Sequence, residues 1–423
     1  MRRASTVLAT VLMVAAADGG AAQAAGRCGE HPWCDVALTP DARAELLLGA
    51  LTRDEKVSLL AGDDPFGVSG AAGTHTGTST GVARVGLPTT YYSDGPVGVR
   101  SGQGTRMPAP IALASTFDRS LGFLHGAVIG NEAKSKGNDV VFAPTVNLMR
   151  TPLGGRSFEA YGEDPYLMTR FGVEWIRGLQ SEGVIGNVKH YAVNNQEGAP
   201  PGTLVGGSQG SRQTVNVVLD ERTLREMYLP HFEAAVKEAN VGSVMCAYNR
   251  VNGQYACENE HLLEDVLKGE WGFGGYVLAD YGAAHNPAAS LNNGLDFEPW
   301  PGVAYSPAAV NATVAAGLAP ESEIDEHVRR VLRTLFAYGF FDRDAYPYDD
   351  ALIDKQGHAD AAQQIAEAGT VLLKNDGVLP LDPANAKSVA VIGAAADELP
   401  GGGGSSAVQP FFFSTARAEI EAR

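Results

Sequence analysis

Short apolar runs of strand type recur along this chain, each set against a helix-length segment, and that alternation limits the available folds more than any other feature. The runs lie at 87–92, 139–143, 184–188, 241–246 and 276–279; helical patterns fill 118–136, 166–182, 220–240, 259–268 and 321–338. Strands alternating with helices of this length imply βαβ units and a parallel sheet. The expected fold is α/β, a (β/α)8 TIM-type barrel over residues 40–338. A helix pair at 40–60 opens it, with Thr52 to Glu55 reading T-R-D-E, a capping box.

The polar residues are placed along these units in a telling way. Asp94, Lys189, His190, Tyr248 and Asp280 each stand just past the last apolar residue of a run, and Arg156 stands in a long loop after another. Loops leaving the carboxyl ends of parallel strands build the ligand site. Asp280 taken alone reads equally well as a helix cap. Five such residues at the same end of different strands converge instead on one pocket. Arg156 and Glu159 also allow an internal ion pair that orders their loop; this reading is preferred for Glu159 and not for Arg156.

Composition excludes some partners. The formal net charge of −17 disfavours nucleic acid and anionic membranes. Arg2 and Arg3, the apolar run 7–17 and the small-residue site Ala22-Gln23-Ala24 have the three parts of a secretory signal peptide, expected over residues 1–25. The mature chain is expected outside the cell. Cys28, Cys34, Cys246 and Cys257 allow three pairings, of which proximity favours Cys28 with Cys34 and Cys246 with Cys257. Neither spacing suits zinc, and no metal or cofactor is expected. Nothing in the sequence speaks to oligomeric state.

Past the barrel, 339–358 reads as a linker and 359–423 as the start of an α/β sandwich domain, with a helix at 359–369 and strands at 370–374 and 388–392. Phe411, Phe412 and Phe413 have no evident partner in the sequence. The Gly401–Gly404 run lacks the Lys-Ser/Thr of a phosphate loop, and no G-x-S-x-G nucleophile elbow occurs. A Schiff-base role for Lys189 conflicts with the acids expected to face it. A carboxylate nucleophile in a pocket rimmed by cations and aromatic rings remains, an inventory that suits a sugar.

Several longer motifs carry a resemblance. G-G-R-S-F-E-A-Y-G-E-D-P-Y from Gly154, Lys189-His190-Tyr191, L-D-E-R-T-L-R-E-M-Y-L from Leu219, M-C-A-Y-N-R-V from Met245 and V-L-A-D from Val277 occur in one order. Together they resemble glycoside hydrolase family 3, in its secreted β-glucosidase branch. The resemblance implies a retaining hydrolase that releases terminal non-reducing β-D-glucose from a small-molecule β-glucoside or oligosaccharide. It implies Asp280 as nucleophile and Asp94, Arg100, Arg156, Lys189, His190, Tyr248 and Tyr281 as sugar contacts, with Cys246 and Cys257 resembling a disulfide of that branch. Ala279-Asp280-Tyr281 departs from the family's Ser-Asp-Trp. The family's general-acid Glu is expected beyond Arg423, in the sandwich domain. Glu197, Asp296 and Glu298 are weighed as substitutes and read as loop or binding residues. The alternative is a non-catalytic sugar-binding barrel.

Overall fold

The computed structural model describes residues 26–63, 75–198, 211–299, 302, 304–382, 384–386, 388–398 and 400–423. The signal-peptide expectation therefore lies outside the described residues. Six strands form one curved sheet: β1 (Gly77–Ser79), β2 (Thr90–Asp94), β3 (Val140–Phe142), β4 (Ile185–Tyr191), β5 (Ser243–Cys246) and β6 (Tyr276–Ala279), in that spatial order. All neighbouring pairs from β2 to β6 are parallel, whereas β1 runs antiparallel to β2.

Two further segments close the sheet into a ring. Ala279 N donates to Phe297 O at 2.9 Å, Gly62 N to Glu298 O at 2.8 Å and Asp63 N to Thr78 O at 3.1 Å. The segments 296–298 and 60–63 are thus the last two of eight staves, and every stave edge finds a partner. The barrel is not a literal repetition of eight βα units, because the second stave in chain order, β1, is reversed and pairs as a hairpin with β2.

Sequence explains the elements around the ring. Thr52 and Glu55 form both halves of the expected capping box ahead of α2 (Arg53–Ser58), which follows α1 (Pro40–Ala50). Asp118 caps α3 (Arg119–Ser135) and Asp164 caps α4 (Pro165–Ser181), each side chain accepting a backbone N–H. Helices α3 and α4 cross at glycines: a Cβ on Gly126 would lie 2.1 Å from Trp175 O, and one on Gly178 2.0 Å from Phe123 O. Only glycine permits that approach. Helix α5 (Pro230–Lys237) precedes β5, and α6 (Glu321–Ala337) packs its apolar stripe of Ile324, Val328, Leu332 and Leu335 inward. The segments 224–228 and 261–270 wind with the wider i to i+5 turn.

The barrel interior is aromatic at one level. Tyr92 stacks with Phe142 at 5.5 Å and with Phe297 at 5.7 Å between ring centroids, and Phe297 meets Tyr276 edge-on at 6.4 Å. Tyr92 and Phe297 stand on staves that do not pair, so their contact runs through the interior. Both expected disulfides, Cys28–Cys34 and Cys246–Cys257, are formed. Among the described residues no helix is long and apolar enough to cross a membrane.

Beyond the barrel the expectation holds for one element and fails for two. Helix α7 (Lys355–Gly369) is formed, but 370–374 and 388–392 are not strands. Leu373 and Ile392 are each 92% exposed. An apolar run becomes a strand only beside another strand that takes up its backbone groups, and no described residue supplies one here. Phe411 does find company, contrary to expectation, against the Lys136 and Lys355 ammonium groups.

Candidate active site

A cavity of about 610 Å³ opens at the carboxyl ends of the parallel staves. Asp94, Arg100, Arg156, Lys189, His190, Tyr248, Asp280 and Tyr281 all line it, so the structure brings together every residue expected there. Asp94 is the last residue of β2 and Asp280 follows β6 directly. Lys189 and His190 differ from expectation in lying within β4 rather than past it. A register shift against β5 between Lys189 and Tyr191 interrupts the alternation of faces, which lets two consecutive side chains reach the same cavity.

Asp280 is 8% exposed. Its Oδ1 accepts from Tyr281 N at 2.8 Å, while Oδ2 is buried with no hydrogen-bond partner among the described residues. The nearest cation-capable group to Oδ2 is His190 Nε2, 3.6 Å away. Asn147 decides the state of that ring. Its Nδ2 donates to His190 O at 2.8 Å, so its Oδ1 is the atom that faces His190 N at 3.0 Å and Nδ1 at 2.8 Å. The ring proton therefore sits on Nδ1, and Nε2 presents a lone pair, which accepts from Arg156 Nη1 at 3.2 Å. Burial, with Arg156 and Lys189 beside it, holds the imidazole pKa well below its ordinary value. The contact with Asp280 is thus not an ion pair.

The cations are held in turn by acids. Lys189 Nζ lies 3.5 Å from Asp94 Oδ1, and Arg100 Nη1 donates to Asp94 Oδ2 at 3.1 Å. Burial lowers the Lys189 pKa, opposed by the Asp94, Glu159 and Asp280 carboxylates. Arg156 Nε donates to Glu159 Oε2 at 3.0 Å and Nη2 to the same oxygen at 2.5 Å. The internal ion pair read for Glu159 is therefore formed, and Arg156 belongs to it while also facing the cavity. Burial works against the Arg156 charge, and Glu159, Glu197 and Asp280 together outweigh it; on Glu159, Arg156, Lys189 and the Ser406 hydroxyl together outweigh burial and lower its pKa.

Tyr248 OH donates to Tyr281 O at 2.7 Å, and Tyr281 OH to Thr76 O at 2.9 Å. Burial, followed by the Asp280 carboxylate, pushes the Tyr248 phenol well up. Of the weighed substitutes, only Glu197 lines the cavity. Its carboxylate pairs with Arg212 at 3.0 Å and Arg156 at 3.6 Å, and burial outweighs both to raise its pKa. Asp296 is tied to Lys268 and His327 away from the cavity, and Glu298 accepts from Tyr305 N at 2.8 Å. Sequence reading missed Arg212, whose guanidinium lies 4.4 Å over the Tyr248 ring, and Ser405, whose Oγ accepts from Arg156 Nη2 at 3.0 Å. Arg212 stands in a polar stretch without periodicity and offers no signal; the Ser-Ser pair ending the glycine run offers a weak one.

Fold and site together define an α/β barrel with a carboxylate-centred polar pocket at the carboxyl ends of its strands. Residues 74–334 match the glycosyl hydrolase family 3 N-terminal domain and residues 370–423 its C-terminal domain. The chain belongs to glycosyl hydrolase family 3. It is 39% identical to a β-glucosidase of Rhizobium radiobacter over 84% of this chain and 42% of that protein. It is likewise 39% identical to β-glucosidase B of Emericella nidulans over 90% of this chain and 43% of that one. Among solved structures it is similar to β-glucosidase 3B from Thermotoga neapolitana in complex with glucose, with a TM-score of 0.80 and 34% identity over 90% of this chain and 54% of that one. The chain thus spans about half the length of the relatives it matches.

Proposed function

We propose that this chain carries the sugar pocket and nucleophile of a retaining β-glucosidase that acts on terminal non-reducing β-D-glucosyl groups. The observation that carries the reading is Asp280: it lines the cavity together with Arg156, Lys189 and His190, and its Oδ2 is buried and free of hydrogen bonds among the described residues. A carboxylate oxygen without a donor keeps its lone pairs for attack. In this reading Oδ2 forms an ester bond with the anomeric carbon as the glycosidic bond breaks, and water later cleaves that ester with net retention. Asp94, Arg100, Arg156, Lys189 and His190 fix the hydroxyls, with Tyr248 and Tyr281 as the wall beside the scissile bond. The glucose held by β-glucosidase 3B of Thermotoga neapolitana supports the choice of sugar.

The leaving oxygen needs a proton. Asp94 and Glu159 are each engaged by cations, and Glu197 lies between two arginines. Following the family 3 resemblance, the general acid is proposed to be a Glu in the portion of the longer relatives that this chain does not span. That division favours a second reading, a pocket that binds sugar without turnover. Two formed disulfides support placing the chain in an oxidising, extracellular setting.

The test uses a 2-deoxy-2-fluoro-β-glucoside with a dinitrophenolate leaving group, which departs without protonation. Intact mass and peptide mapping are expected to show one fluoroglucosyl ester on Asp280, absent in Asp280→Asn. A folded parent chain that binds a glucose-configured iminosugar yet forms no ester would establish the binding-only reading instead.

A further inference from the structure

The Arg156–Glu159 pair does not end at the barrel. Glu159 is 1% exposed, and its two oxygens serve different masters. Oε2 takes both nitrogens of Arg156. Oε1 takes the hydroxyl of Ser406, and that of Ser405 at 3.3 Å. Both serines come from the glycine-rich run, far along the chain from the pocket loops.

That run is strapped down immediately after the serines. Arg106 Nε and Nη2 donate to Val408 O at 3.2 and 2.7 Å, and Gln409–Pro410 pairs in parallel with Gln103–Gly104. Val408 is 1% exposed and Ser406 fully buried. A Cβ on Gly98, where φ is +128°, would lie 2.4 Å from Thr105 O and 3.2 Å from the Val408 side chain, so a bare backbone is what receives it. The strap forms part of the cavity wall through Gly403, Gly404 and Ser405.

The terminal torsion of a glutamate is soft and roughly two-fold, so one bound oxygen does not set the plane of the carboxylate. Two do. Because a guanidinium is a rigid plane, the plane of Glu159 decides where the remaining Arg156 Nη1 points, which here is toward His190 and the cavity. We propose that Ser405 and Ser406 are positioning residues for the sugar pocket, aiming Arg156 through the second oxygen of Glu159 and, for Ser405, also by accepting directly from Arg156 Nη2 at 3.0 Å. The inference rests on the sugar-pocket reading above.

The experiment is a double-mutant cycle on the full chain, read as the dissociation constant of 1-deoxynojirimycin by calorimetry. Ser406→Ala removes a hydrogen bond to a charged group and is expected to weaken binding about tenfold. In an Arg156→Ala background the same change is expected to add less than about twofold, because the two act as one unit. Ser405→Ala, at the more exposed end of the strap, runs in parallel and carries the test should Ser406→Ala fail to fold. Parent-like affinity in the serine variants overturns the proposal. So do losses that add fully to that of Arg156→Ala, since serines that merely dock the strap act independently of Arg156. A parent chain with no affinity for the iminosugar overturns the sugar-pocket reading itself, a distinct result.

Discussion

His190 Nε2 and Asp280 Oδ2 face each other at 3.6 Å with no proton between them, because the imidazole proton is committed to Asn147 on the far side of the ring. Asn147 therefore guards the proposed nucleophile without touching it. Asn147→Leu releases Nδ1 and lets the proton move to Nε2, where it binds Oδ2. Labelling of Asp280 by the fluoroglucoside is expected to slow about tenfold, with about 1–3 kcal/mol lost in urea denaturation from the orphaned His190 backbone groups. Labelling at the parent rate would overturn the tautomer assignment.

Arg156 and Glu159 make a buried charge pair, and such pairs are costly to break from one side. Arg156→Ala leaves the Glu159 carboxylate with serine and threonine hydroxyls and the Lys189 charge nearby. Denaturant titration is expected to show a loss of about 3–5 kcal/mol. Removing Glu159 as well, in Arg156→Ala/Glu159→Ala, is expected to recover part of it.

Acid sensitivity should trace to buried histidines outside the pocket. His125 accepts from Trp175 Nε1 at 2.8 Å, and burial lowers its pKa to about 4; His231 is lowered likewise to about 3. The unfolded chain binds these protons first, near pH 6.5, so the stabilisation is present above that pH and fades as pH falls toward the folded values. At pH 5 each ring accounts for roughly 2 kcal/mol of lost stability. His125→Gln is expected to flatten the fall in thermal midpoint between pH 7 and 5; an unchanged slope would rule the ring out.

The unpaired apolar segments should govern solubility rather than stability. Leu373→Lys with Ile392→Lys places charge at two fully solvated positions. Light scattering is expected to fall while the thermal midpoint stays within about 1 °C of the parent, as for other surface changes.

Legibility from sequence followed the range of the interactions. The capping box of Thr52 and Glu55 spans three residues and is plain in the sequence; the caps at Asp118 and Asp164 reach only two residues ahead. The convergence of Asp94, Lys189, His190, Tyr248 and Asp280 is legible because each marks the end of an apolar run. What escaped depends on distant partners. The strands expected at 370–374 and 388–392 have the right residues and nothing to pair with. Arg212 gains its meaning only from the Tyr248 ring beneath it, and Ser406 only from Glu159, 247 residues away. Strand β1 and its reversal also escaped, since the stretch 61–82 is rich in Gly, Ser and Thr and reads as a loop.

That reversal inverts the ordinary map of the barrel mouth. On a forward stave the residues that follow the strand face the ligand; on β1 it is those that precede it. Thr76, one residue ahead of β1, accordingly receives Asp94 N on its hydroxyl at 2.9 Å and Tyr281 OH on its carbonyl. Anyone redesigning this mouth thus has an address that the usual inventory of post-strand loops omits: the approach to Thr76, where a single change touches two walls of the pocket at once.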